Sequence, residues 1–203
     1  MYNLQFVSYT LIHLTASKKM PKQYLISQTL FAGLLLMLAL ATFSDIKERK
    51  IPNALVMFGL LFSLIFQCIL SGMAGGLDWI LGIGVGFLCF IPLYVLRGMA
   101  AGDVKLMMAV GGFLGYPLII KAVICVFLSG GVIAIVFVII KGRFKRLFTN
   151  MRVMFTDLYI KSTSGVNMAD DYVMKNSAGR MPYALAIAVG TLIALYLNSA
   201  GSV

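Results

Sequence analysis

Apolar residues along this chain gather in blocks of about twenty, the length that crosses a bilayer as a helix, with short polar stretches between them. A soluble domain would instead alternate polar and buried faces. The blocks predict six membrane-spanning helices at roughly 26–44, 54–72, 77–96, 104–119, 121–140 and 182–198. The fourth is short, and Pro117 predicts its turn into the fifth. Gly82 and Gly86 in the third block, like Gly111 and Gly115 in the fourth, are small residues four apart, a spacing that lets helix backbones approach closely in lipid. GIGVGF follows no strand and sits inside an apolar run, so it does not read as a phosphate cradle.

Composition strengthens this picture. Of 203 residues, 61% are hydrophobic and 12% charged, with a mean hydropathy of +0.96. The fold class that follows is all-α: a polytopic integral membrane protein with about six transmembrane helices. The net charge of +10 does not point to nucleic acid, because the basic residues lie between apolar blocks and form no basic domain. Anionic lipid at the cytoplasmic face is the expected partner of these loops. Cys68, Cys89 and Cys125 lie inside apolar blocks without CxxC spacing, and His13 has no second ligand near it. They suggest packing residues and no metal site.

Charge also sets the expected topology. With the N-terminus outside, the loops 45–53, 97–105 and 141–181 are cytoplasmic and hold thirteen lysines and arginines, against four outside. The C-terminus is then outside as well. Residues 1–25 read as an N-terminal segment and 26–203 as the membrane-embedded domain. Lys18, Lys19 and Lys22 before an apolar run imitate a signal peptide. Cleavage near Ala39 or Ala41 would remove the first helix, and a start at Met20 is the other alternative. Within 141–181, Phe144, Phe148, Met151, Phe155 and Leu158 recur at helical spacing among arginines and lysines. That pattern predicts an amphipathic helix on the inner leaflet, or otherwise a basic linker.

The chain has only seven acids, and two of them stand at the ends of apolar blocks. Asp45 ends the first block in FSDIKERKIPN, and Asp103 opens the fourth in AAGDVKLMM. The chain crosses twice between them, so both lie at the same boundary. Two carboxylates meeting in a partly desolvated place hold one proton between them near neutral pH. Such a pair suits peptide hydrolysis: the ionised member takes a proton from attacking water, and the protonated one supports the oxyanion. No GxSxG, HExxH or Cys–His set competes with it. Plainer roles fit each acid alone. Asp103 can cap the fourth helix, and Asp45 can pair with Lys47 or Arg49 as ordinary boundary charge.

The ordered set DIKERKIPN, GDVKL and MPYALAIA resembles the aspartic prepilin peptidases, membrane proteases of the GxGD type. The resemblance covers most of the chain and implies cleavage, on the cytoplasmic side, of the short basic leader of prepilin-like membrane-helix precursors. By motif it implies Asp45 and Asp103 as the catalytic pair. Lys105 would tune the pair or meet substrate, Gly102 would let the backbone approach substrate, and Ile51, Pro52 and Asn53 would shape re-entry into the second helix. Lys47, in the D-x-K of the first motif, joins these supporting positions. Neither metal nor organic cofactor is implied.

Two positions depart from the family pattern: Ala100 stands for the first glycine of GxGD, and Ala184 for a frequent glycine in the late motif. The large members also carry a domain with paired CxxC motifs and N-methylate the new terminus. This chain has no CxxC and resembles the short members of Tad/Flp-type and other type IV-like pilus systems, without methyltransferase activity. The loop 141–181 is expected to border the site and gate access. Rival readings are a catalytically inactive pilus-assembly scaffold, a small transporter and an archaeal preflagellin peptidase.

Overall fold

The computed structural model describes residues 22–96, 98–140 and 183–200. The N-terminal segment before Lys22, with the signal-peptide and Met20 readings, and the amphipathic helix expected within 141–181 lie outside the described residues. Those described form the helices α1 (Lys22–Glu48), α2 (Asn53–Val95), α3 (Ala101–Leu114), α4 (Leu118–Ile140) and α5 (Tyr183–Ala200), of which the first four follow one another across short connections. Among the described residues there is no strand, so the expected all-α class holds.

The 43 residues of α2 do not run straight. Gly72 adopts φ 59°, ψ −136°, a conformation that side-chain-bearing residues rarely take, and the chain reverses there. Trp79 Nε1–H donates to Ser63 Oγ at 2.9 Å although sixteen residues separate them. In a straight helix those positions would be ~24 Å apart. The segment is therefore a hairpin of two arms, 53–71 and 73–95, where the second and third apolar blocks were predicted.

Among the described residues four helices are long and apolar enough to cross a membrane: α1 from Tyr24, the whole of α2, α4 as far as Val136, and α5. With fourteen residues, α3 is shorter than a span of about twenty and differs from its predicted bounds of 104–119. It begins earlier, so that Asp103 lies in its first turn, and ends at Gly115, followed by the cis Tyr116–Pro117 turn. Burial accounts for its shortness. Leu106, Met107, Ala109 and Val110 are wholly buried, and α3 touches all four other helices. It is the centre of the bundle, facing protein where the others face lipid.

The predicted glycine spacing forms the seam between α3 and the second arm of α2. A Cβ on Gly82 would collide with the Gly111 carbonyl, and one on Gly111 with the Gly82 carbonyl. A Cβ on Gly86 would stand 2.6 Å from the Met107 oxygen. Backbone therefore meets backbone along this line. GIGVGF is part of the seam. Elsewhere, Gln67 Nε2 donates to the Phe113 carbonyl at 3.1 Å, and the rings of Phe90 and Phe127 stack at 4.8 Å. Helix α5 is tied to α4 by Ser129 Oγ, which donates to the Ala186 carbonyl at 2.9 Å, and by Lys121 Nζ, which donates to Asn198 Oδ1 at 2.9 Å. The second bond joins the start of α4 to the end of α5, which leaves the start of α5 at the opposite end of the bundle.

Candidate active site

At that opposite end three helix termini converge. Asp45 occupies the last turn of α1 and is 8% exposed. The helix stops just beyond it because Arg49 turns left-handed at φ 52°, its N–H donating to the Asp45 carbonyl at 3.0 Å. Ser44 Oγ then donates to the Lys50 carbonyl at 2.8 Å and folds the loop back. Pro52, at φ −61° and ψ 127°, cannot extend the earlier helix and leads into α2 at Asn53.

Asp103 sits in the first turn of α3, ahead of the apolar run, and is 5% exposed. Its N–H donates to the Ala100 carbonyl at 3.1 Å, and its Oδ2 accepts the Ala100 N–H at 3.2 Å. The capping role expected of this acid is thus real. It is not the whole account, since capping at an exposed helix end requires no burial and no second acid. Burial, reinforced by the charge of neighbouring Asp45, pushes the Asp103 carboxyl up to about 7, against the pull of the Ala100 N–H. The structure thus brings the two carboxylates within electrostatic reach of each other.

The third terminus belongs to α5. The Ala184 N–H, in its first turn, donates to Asp45 Oδ2 at 3.0 Å, while Thr42 Oγ1 donates to the Ala184 carbonyl at 3.5 Å. In the sequence MPYALAIA carries part of the family resemblance, and its side chains assign it no part in the site. One signal was available: a helix begins with backbone N–H groups that lack partners, and an acid elsewhere can satisfy one. Asp45 therefore bonds the start of α5, and among the described residues no cation pairs with either carboxylate. Each uses Oδ2 for its backbone donor; among the described residues Oδ1 of both carries no hydrogen bond.

The remaining predicted positions divide. Lys105 Nζ donates to Asn53 Oδ1 at 3.1 Å, an exposed bridge between the start of α3 and the start of α2. Gly102 lies against Ile51, where a Cβ would make ordinary contact at 3.4 Å. Packing among the described residues thus does not require glycine at 102. Ala100 is extended at φ −81°, ψ 153°, a conformation open to any residue, so its departure from the GxGD pattern costs the backbone nothing. Pro52 is exposed at the entry to α2. Lys47 is also exposed and projects 6.0 Å from the centre of the Phe43 ring on its own helix, apart from the site's hydrogen bonds. Among the described residues no group of histidines, cysteines and acids is arranged to hold a metal ion.

Comparison with known proteins agrees with this geometry. No curated protein and no solved structure matches the chain. The model of the type IV leader peptidase family matches residues 32–139, more than half of the chain, taking in both aspartates and stopping short of α5. With two buried carboxylates gathered at one end of an apolar helical bundle, the chain belongs to the type IV leader peptidase family, a family of membrane-associated proteases.

Proposed function

We propose that this protein is an aspartic endopeptidase that removes the short basic leader of prepilin-like precursors, with Asp45 and Asp103 as its catalytic pair. The observation that carries the reading is the convergence of two buried acids, from residues fifty-eight apart in sequence, in a chain with only seven acids. Among the described residues neither has a balancing cation, and each has one carboxylate oxygen with no hydrogen bond. A pair with a single proton performs both halves of the hydrolysis. The ionised carboxylate takes a proton from water as its oxygen bonds to the scissile carbonyl carbon. The protonated one gives its proton to the carbonyl oxygen. Collapse of the tetrahedral intermediate breaks the C–N bond: the leaving nitrogen takes the proton held by the pair, a hydroxyl of the intermediate gives its own proton back as the carbonyl re-forms, and the single shared proton is restored.

The substrate in this reading is itself a membrane helix with a basic N-terminus, which meets the enzyme laterally in the bilayer. The site faces the cytoplasm of an inner membrane, both termini lie outside, and the basic loops rest on anionic lipid, as the distribution of lysine and arginine supports. The unstrained extended backbone at Ala100 speaks against a scaffold inactivated at that position. Methyltransferase activity is not part of the proposal. The test is cleavage in membranes containing a co-expressed prepilin-like substrate. Wild type should cut, and Asp45→Asn and Asp103→Asn should each insert normally without cutting. Cutting by either variant at the wild-type rate would remove that residue from the pair.

A further inference from the structure

The two carboxylates sit in unequal surroundings, and the difference assigns their roles. Asp45 Oδ2 receives the Ala184 N–H at 3.0 Å, from a different helix. That N–H belongs to the first turn of α5, whose donors lack partners within their own helix. A hydrogen bond of this kind favours the charged form of the carboxylate. Asp103 also accepts a backbone N–H, but a longer one at 3.2 Å, from Ala100 in the non-helical residue preceding its own helix. It is the more deeply buried of the two, with α3 packed against every other helix.

Among the described residues the other charged and titratable groups do not reverse this. Lys105, in the same turn as Asp103, is turned to Asn53, and Lys47 lies over Phe43. Glu48, the last residue of α1, and Arg49 and Lys50 just after it are exposed. Tyr183 is close enough to Asp103 for that acid's charge to act on it, which adds no cation.

We infer that the backbone N–H of Ala184 is a positioning group that keeps Asp45 the ionised member of the pair, so that the shared proton resides on Asp103. Asp45 is then the general base toward water, and Asp103 the acid toward the carbonyl oxygen. This assignment rests on the peptidase reading for its chemical meaning, but the location of the proton is measurable without any cleavage.

A hydrophobic carbodiimide reacts with protonated buried carboxyls and spares ionised ones. Full-length protein in membranes, labelled at neutral pH and mapped by mass spectrometry, should carry the adduct on Asp103 in about tenfold excess over Asp45, the ratio that one pK unit produces. Labelling mainly on Asp45, equally on both, or on neither would overturn the inference. Ala184→Pro removes the N–H at a first-turn position where a helix tolerates proline. It should raise the Asp45 adduct severalfold, whereas Ala184→Gly keeps the N–H and should label as wild type does. An unchanged pattern in Ala184→Pro would also overturn it. If Asp103 is labelled while the protein cleaves no prepilin-like substrate, the proton assignment survives and the peptidase reading fails. Where cleavage occurs, a pH profile adds a second check. Loss of the N–H should move the acidic limb to higher pH; movement of the alkaline limb alone would exchange the two roles.

Discussion

The glycine seam and the carboxylate end of the same short helix are built on opposite terms. Along Gly82–Gly111, backbone lies against backbone so closely that a single added carbon has nowhere to go. Two turns away, at Gly102, a carbon would meet Ile51 at the ordinary distance of 3.4 Å. The seam fixes where α3 stands. The end of α3 then presents a buried acid, with one carboxylate oxygen that bonds to none of the described residues, and a glycine that packing among them does not demand. Close packing at one end of a helix permits looseness at the other, where a substrate backbone needs room.

The comparison breaks most sharply at the acids. Asp45→Asn or Asp103→Asn should lower cleavage by ~10³-fold or more, the scale of general acid–base catalysis. The melting temperature in detergent should hold or rise, since a buried acid with no cation beside it among the described residues is replaced by a neutral amide. A coincident loss of folded protein would assign these residues to the seam's class instead. Gly111→Val should do the reverse. Overpacking costs about 1–3 kcal/mol and occasionally more, and here the obstacle is backbone that cannot swing aside. Reduced folded yield and a lowered thermal midpoint are the expected readings.

Gly102→Ala tests the loose end directly. Thermal stability should stay near wild type, while cleavage falls by ~10-fold or more if the substrate backbone passes there, as misplacement of reacting groups typically produces. Equal losses of stability and activity would mean that both ends of α3 are packed alike. Activity should also depend on pH with a definite sign. Asp103, raised to about 7, must keep its proton, so the rate is sustained below that value. It should fall by about tenfold per pH unit above it, the behaviour of a single required acid. A rate still rising well above neutral pH would contradict this. The smallest effect belongs to the exposed rim, where Asn53→Ala or Lys105→Met should change cleavage by no more than ~3-fold, as surface contacts are worth roughly 0–1 kcal/mol.

Much of this was legible because membrane helices announce themselves by apolar length. The α-helical class, the turn at Pro117 and the glycine contact between the second arm of α2 and α3 followed from block lengths and a spacing of four. Alternate crossings also predicted that Asp45 and Asp103 share an end. Length misled at α3, since an apolar run signals lipid and buried protein alike, and only the surrounding helices show which is meant. Lys47 looked like a partner for Asp45 by proximity in sequence, yet the carboxylate turns inward to Ala184 while Lys47 remains at the surface.

By itself, then, the sequence determined that the chain is a bundle of apolar helices with two acids at one boundary, because desolvation and helical periodicity are written residue by residue. The tertiary structure decided what each acid faces. The N–H that distinguishes Asp45 from Asp103 comes from Ala184, 139 residues further along the chain. A backbone donor carries no mark in its side chain, so its meeting with a carboxylate exists only once α1 and α5 have packed.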